Sequence, residues 1–207
     1  MNIFKLSLKK LFLICFFFTY SLNAFSKDIH FKNSHCVAWK TKKRIMLLKS
    51  LEPVGMNCSI KAKFKKKGSE FYIEVSVPIE KFDSEEPMRD KEVSKILKAN
   101  IQPNLIISTK AYSLNHWKMV FNSSNFKTNL NLKIANSEFA LVTIAKKIEV
   151  KGTNVILGKV ITNFSSLSLK PPGFAWGLIT KVSDYLELHY KIDLTKIEGL
   201  KKIIIKP

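Results

Sequence analysis

Glycine is scarce in this chain, seven residues in 207, and none lies in a glycine-rich loop that could bring backbone N–H groups against a phosphate. Nucleotide binding is therefore not expected. A Gly-x-Ser-x-Gly elbow is absent, and neither Cys36 nor Cys58 sits in a Cys-Gly-Ser-Cys context, so a hydrolytic nucleophile has no support. The four histidines, His30, His35, His116 and His189, form no ligand pair at metal spacing with the cysteines, which argues against a structural metal. Arginine is limited to Arg44 and Arg89, whereas specific readers of nucleic acid rely on arginine forks. Nucleic acid is thus not an expected partner in spite of the formal net charge of +19. The chain reads as a binding protein without a cofactor rather than as an enzyme.

Long apolar runs are also few. One, Leu11 to Leu22, follows Lys5, Lys9 and Lys10 and precedes the small-x-small pattern Ala24-Phe25-Ser26. This is the layout of a secretory signal peptide, and about 12 apolar residues fall short of the roughly 20 that span a bilayer as a helix. The expected division is a leader over 1–26, cleaved after Ser26 or alternatively after Ala24, and one domain over 27–207. Export would place the protein in a periplasm or outside the cell. Without the three leader lysines the net charge of +19 becomes +16, enough to attract an anionic membrane surface or polymer. Cys15 would leave with the leader. Cys36 and Cys58 then form an even pair in an oxidising compartment, equally far from a hairpin tip near Leu47, and read either as a disulfide or as two buried thiols.

The rest of the chain is punctuated at short intervals. Cys36 to Lys40 and Cys58 to Phe64 alternate in polarity, and Phe71, Ile73, Val75, Val77 and Ile79 share one face of the clearest strand. Beyond Asp83 the acids cluster, Ser84 or Asp90 can cap a helix, and Val93, Ile96 and Leu97 fall at helical spacing. The cluster Asp83, Glu85, Glu86 and Asp90 could hold Ca²⁺, although a solvated turn at the helix N-terminus is the better reading. Short apolar runs then recur: Leu105 to Thr109, Trp117 to Phe121, Leu130 to Ile134, Phe139 to Ile144, Val155 to Val160, Phe164 to Leu169 and Tyr185 to Leu194. Many short strands with one helix predict an all-β barrel or sandwich. The tail from Leu200 is either a last edge strand or a frayed end, and Asp184 reads as a carboxylate bonded to local backbone.

Val77-Pro-Ile-Glu-Lys-Phe-Asp-Ser-Glu-Glu-Pro-Met-Arg-Asp, followed by Ile96-Leu97 and Pro103-Asn-Leu-Ile-Ile-Ser-Thr, resembles the YceI-like family of secreted polyisoprenoid-binding proteins. Met88, Arg89, Asp90 and Pro103 match the family's Met-Arg-Asp and Pro-x-Ile-x-Phe-x-Ser elements, while Ile107 replaces the phenylalanine. Val37-Ala-Trp-Lys, Val54-Gly55, Leu130-Asn-Leu-Lys-Ile, Ser168-Leu-Lys-Pro-Pro and Val182-Ser-Asp-Tyr-Leu-Glu-Leu extend the likeness from Cys36 to Leu194. The resemblance implies a lipocalin-like antiparallel β-barrel of about eight strands with one short helix, enclosing a channel for an isoprenoid or a quinone tail. Strand alternation selects as its lining Phe71, Ile73, Val75, Leu105, Ile107, Leu130, Leu132, Phe164, Leu167, Val182 and Leu186, each of which serves equally as ordinary core. Arg89 and Asp90, which match the family's most recognisable dipeptide, read as a salt bridge or helix cap that fixes the barrel's lid, with ligand contact as the alternative. The alternative is a barrel filled by its own side chains, acting through its basic surface.

Overall fold

A computed structural model describes residues 29–45, 49–172 and 180–200. The expected leader with its cleavage positions, the hairpin tip near Leu47 and the tail beyond Leu200 lie outside the described residues.

Within them the alternating apolar runs form one sheet of eleven strands: β1 Cys36–Ile45, β2 Lys49–Leu51, β3 Val54–Asn57, β4 Lys61–Lys67, β5 Glu70–Pro78, β6 Asn104–Thr109, β7 Asn125–Ile134, β8 Ser137–Val150, β9 Thr153–Thr162, β10 Thr180–Asp193 and β11 Ile197–Glu198. Two α-helices interrupt it, α1 Pro87–Ile96 and α2 Leu114–Asn122. The strand order is β11-β4-β5-β6-β7-β8-β9-β10-β1-β2, with β3 also paired to β1. Every pairing is antiparallel except that of β11 with β4. The period of two explains the layering: β4 buries Ala62 and Phe64 between exposed lysines, and β5 buries Ile73, Val75 and Val77. These side chains join one core that runs around the inner face of the sheet.

Among the described residues the ladder does not close. Instead, one extended stretch changes partner: β3 pairs with β1, and after a break of three residues β4 pairs with β5. Three sets of contacts hold this seam. Cys36 and Cys58 are joined by a disulfide. Met56 and Asp83 exchange backbone hydrogen bonds of 2.9 Å in both directions. The buried Asn57 side chain donates to the Pro78 carbonyl at 2.7 Å and accepts from the Ser59 N–H at 2.8 Å. On the other side β11, with Ile197 buried, covers the edge of β4 that would otherwise stay unpaired.

Because successive strands reverse direction, the connections sort to two ends. The β5–β6 connection with α1 and the β9–β10 connection with Phe164 and Leu167 share one end, and the β4–β5 turn, α2 and the β8–β9 turn share the other.

The expected all-β class holds, with corrections in detail among the described residues: eleven strands rather than about eight, a sheet left open at one seam, and two α-helices rather than one. The run Trp117 to Phe121 is helical because Ser113 caps it, its hydroxyl accepting from the His116 N–H at 3.3 Å. Trp117 and Phe121, one turn apart, are buried, whereas Met119, which a strand would place beside them, is 63% exposed. The run Phe164 to Leu169 is a 3-10 turn over Ser165–Leu167 that buries Phe164 and Leu167. The α1 cap is Glu86, accepting from the Met88 N–H at 3.4 Å with Pro87 at the first helical position, and not Ser84 or Asp90. The last strand among the described residues is β11, ahead of Leu200, which lies in a turn.

The seam should dominate stability. Asn57→Ala removes two buried hydrogen bonds and strands the Pro78 carbonyl, so it should lower the unfolding free energy by about 2–3 kcal/mol. Urea titration checks this, and a loss below about 0.5 kcal/mol, the range of ordinary surface changes, would mean that the seam is held elsewhere.

Candidate functional site

The inner face of the sheet encloses an apolar cavity of about 580 Å³. Its floor, at the α2 end, is aromatic. Phe64 stacks on Phe71 with centroids 5.3 Å apart, Trp117 meets Phe64 edge-on at 5.7 Å and stacks on Phe121 at 5.4 Å. The Trp117 indole N–H donates to the Phe71 carbonyl at 2.7 Å, which locks the ring to β5. The rim, at the opposite end, carries Val93, Ile96 and Leu97 of α1 together with Glu86, Arg89 and Glu92. Met88 on the same rim is 76% exposed, so this end faces solvent.

Of the eleven residues selected by alternation, Ile73, Val75, Leu105, Ile107, Leu130, Leu132, Phe164, Leu167, Val182 and Leu186 all line this cavity. Phe71 does not; it lies in the floor, because the bridge to Tyr112 and the stack on Phe64 draw the start of β5 under α2. The sequence reading missed Trp39, Leu188, Tyr190 and Val160, although the period of two that chose Val182 and Leu186 also reaches Leu188 and Tyr190. Arg89 donates to the Ser84 carbonyl at 3.2 Å, and Asp90 accepts from the Ser84 N–H at 3.0 Å and from its hydroxyl at 2.5 Å. Both therefore fasten the loop that leads into α1. The neighbouring acids are accounted for in the same way: Asp83 accepts from the Glu85 N–H at 2.9 Å, and Lys32 lies 3.2 Å from Asp83 and 3.6 Å from Glu85. Asp184 bonds backbone, but 19 residues away, accepting from the Ser165 N–H at 2.9 Å and from its hydroxyl. Among the described residues no three His, Cys, Asp or Glu side chains gather as a metal site.

No family model matches the sequence, and no curated protein is significantly similar to it. Solved structures do match. BcnA of Burkholderia cenocepacia superposes with a TM-score of 0.54 at 10% identity over 75% of this chain and 94% of its own. A domain from Saccharophagus degradans, described as polyisoprenoid binding and implicated in plant cell wall breakdown, gives 0.53 at 7% identity over 75% and 91%. A mutant of the Campylobacter jejuni YceI protein gives 0.51 at 19% identity over 84% and 95%. The chain has a YceI-like fold. At these identities the likeness is one of fold, and each neighbour is covered almost from end to end.

Two glycines shape the wall of this YceI-like sheet. Gly55 lies opposite Trp39 and Gly158 opposite Tyr190, and a Cβ on either would sit 2.4 Å or 2.0 Å from the facing ring. The rings can thus lie flat along the wall instead of projecting into the cavity. The buried Thr143 hydroxyl donates to the Lys159 carbonyl at 3.2 Å, which leaves it to accept from the Tyr190 hydroxyl at 3.0 Å. Burial pushes the Tyr190 phenol up to about 12, so it stays a neutral donor.

The strongest electrostatics lie behind the wall. Alternation turns Leu186 and Leu188 into the cavity and Glu187 away from it. Buried Glu187 accepts from the Tyr185 hydroxyl and lies 3.7 Å from Lys40, 3.3 Å from Lys159 and 2.7 Å from His189. Lys40, itself 2% exposed, is also 3.1 Å from Glu52. Burial alone would raise the Glu187 carboxyl, but the Tyr185 and His189 hydrogen bonds and the two lysine charges outweigh it and hold the group at about 2. Burial lowers the His189 imidazole against the pull of Glu187, and burial with the Lys196 charge lowers His35.

Two outcomes are expected. Gly158→Val should force the Tyr190 ring off the wall, break its bond to Thr143 and shrink the cavity; a crystal structure of the variant checks the ring position. For pH, a histidine lowered in the fold is neutral there and gains its proton on unfolding. Stability should hold above about pH 6.5, the unfolded histidine value, and fall as pH drops below it. The Glu187 contribution, opposite in origin, is present above the unfolded carboxyl value of about 4.3 and lost as pH falls toward about 2. Urea midpoints from pH 8 to 5 should therefore decline below pH 6.5, with a shallower slope in His189→Gln.

Proposed function

We propose that this protein binds one isoprenoid or similar lipid in the cavity and carries it without enzymatic chemistry, in a periplasm or outside the cell. The observation that carries the reading is the hollow apolar interior of about 580 Å³, closed by aromatic rings at one end and open along α1 at the other. That volume lies within the range of about 300–1,000 Å³ typical of small-molecule pockets. Each CH₂ taken from water gains about 0.8 kcal/mol, so an apolar chain supplies its own affinity without specific polar contacts. The polyisoprenoid binding stated for the Saccharophagus degradans domain, which has the same fold, supports the choice of ligand. The disulfide supports export, since disulfides persist in oxidising compartments.

The test is mass spectrometry of organic extracts from protein purified without detergent from its native host. The expected result is a prenyl or similar lipid in stoichiometric amount, reduced in Ile107→Trp, where the larger ring projects into the cavity while the melting temperature confirms the fold. An empty extract, together with failure to take up added quinone, would contradict the reading.

A further inference from the structure

The outer face of β7, β8 and β9 leaves three branched aliphatic side chains in water: Ile144 is 72% exposed, Ile161 61% and Val142 50%. Val142 and Ile144 are two apart on β8 and so share a face. The β8–β9 register pairs Ile144 with Lys159, and continuing it sets Val142 beside Ile161. The apolar patch is flanked by cations. Ile144 has Lys127 opposite it on β7 and Lys159 opposite it on β9, and Lys146 follows two residues along β8. Lys127 and Lys146 are exposed. Of the carboxylates on this face, Glu187 is buried against Lys40 and Lys159, and Glu138 lies at the far end of β8, accepting from Asn131 at 3.0 Å.

We infer that this face docks on an anionic lipid bilayer, with Val142, Ile144 and Ile161 entering the headgroup layer and Lys127 and Lys146 meeting lipid phosphates. Apolar side chains beside lysines combine the two contributions that hold a protein at such an interface, buried apolar area and attraction to anionic lipid. A second copy of the chain fits less well, because a two-fold contact through this patch would bring its lysines against one another. An acidic polymer would engage the lysines but leave the aliphatic groups in water. The docking does not depend on what the cavity holds.

Sedimentation with vesicles tests it, using the protein as its host accumulates it, with intact mass recording the N-terminus. Mixed phosphatidylglycerol and phosphatidylcholine vesicles should bind the protein, and phosphatidylcholine alone should bind it far less. Lys127→Gln and Lys146→Gln should each weaken binding about fivefold. The charge-neutral change Ile144→Ser should weaken it about tenfold through lost apolar burial. Undiminished vesicle binding by Ile144→Ser would overturn the inference in favour of simple polyanion attraction. A dimer that Ile144→Ser splits in ultracentrifugation would overturn it in favour of a contact between copies. Lipid content measured in the same variants should not change, which separates failure here from failure of the carrier reading.

Discussion

Between Asn57 and Lys61 a single extended stretch leaves β1 and joins β5, and the curl of the sheet around its interior depends on that change of partner. A hydrogen-bonded ladder cannot run through the break, so other bonds carry the connection: the Cys36–Cys58 disulfide, the Asn57 amide and the reciprocal Met56–Asp83 pair. Each ties the seam to a different element. The disulfide reaches the start of β1, Asn57 reaches the end of β5, and Met56 reaches the segment that leads into α1. The position of α1 over the rim and the curvature of the wall therefore share one anchor.

The interior is hollow for reasons that act together. Period-two alternation supplies an apolar inner face, yet the two bulkiest cavity-lining groups on β1 and β10, Trp39 and Tyr190, are pressed flat against glycines on the facing strands instead of filling the centre. Four further rings, Phe64, Phe71, Trp117 and Phe121, collect in the floor under α2, where Trp117 is fixed to β5 by its indole hydrogen bond. The buried charge cluster of the wall is kept behind it. Glu187 sits among Lys40, Lys159, His189 and Tyr185 on the far side of β10 from Leu186 and Leu188, so its charge stays out of the cavity.

Much of this was legible in the sequence, and the limits have physical causes. Ile73, Val75, Leu130, Leu132 and Leu186 could be assigned to the lining because strand alternation is local and strict. Trp117 to Phe121 could not be told from a strand by length alone; the cap at Ser113 and the exposure of Met119 decide it. Phe71 has the right phase but sits at the end of its strand, where packing under α2 overrides alternation. The seam and the Lys40–Glu187 pair were out of reach, since they join segments far apart in the chain through contacts that leave no periodic signal.

The most direct test of the account is an electron-density map of the protein purified without detergent from its host. A hollow carrier predicts elongated, continuous density from the Trp117 floor to the α1 rim, following the wall past Leu132 and Leu186. An interior in which Trp39 and Tyr190 have swung off their glycines and closed the space with side chains would contradict it.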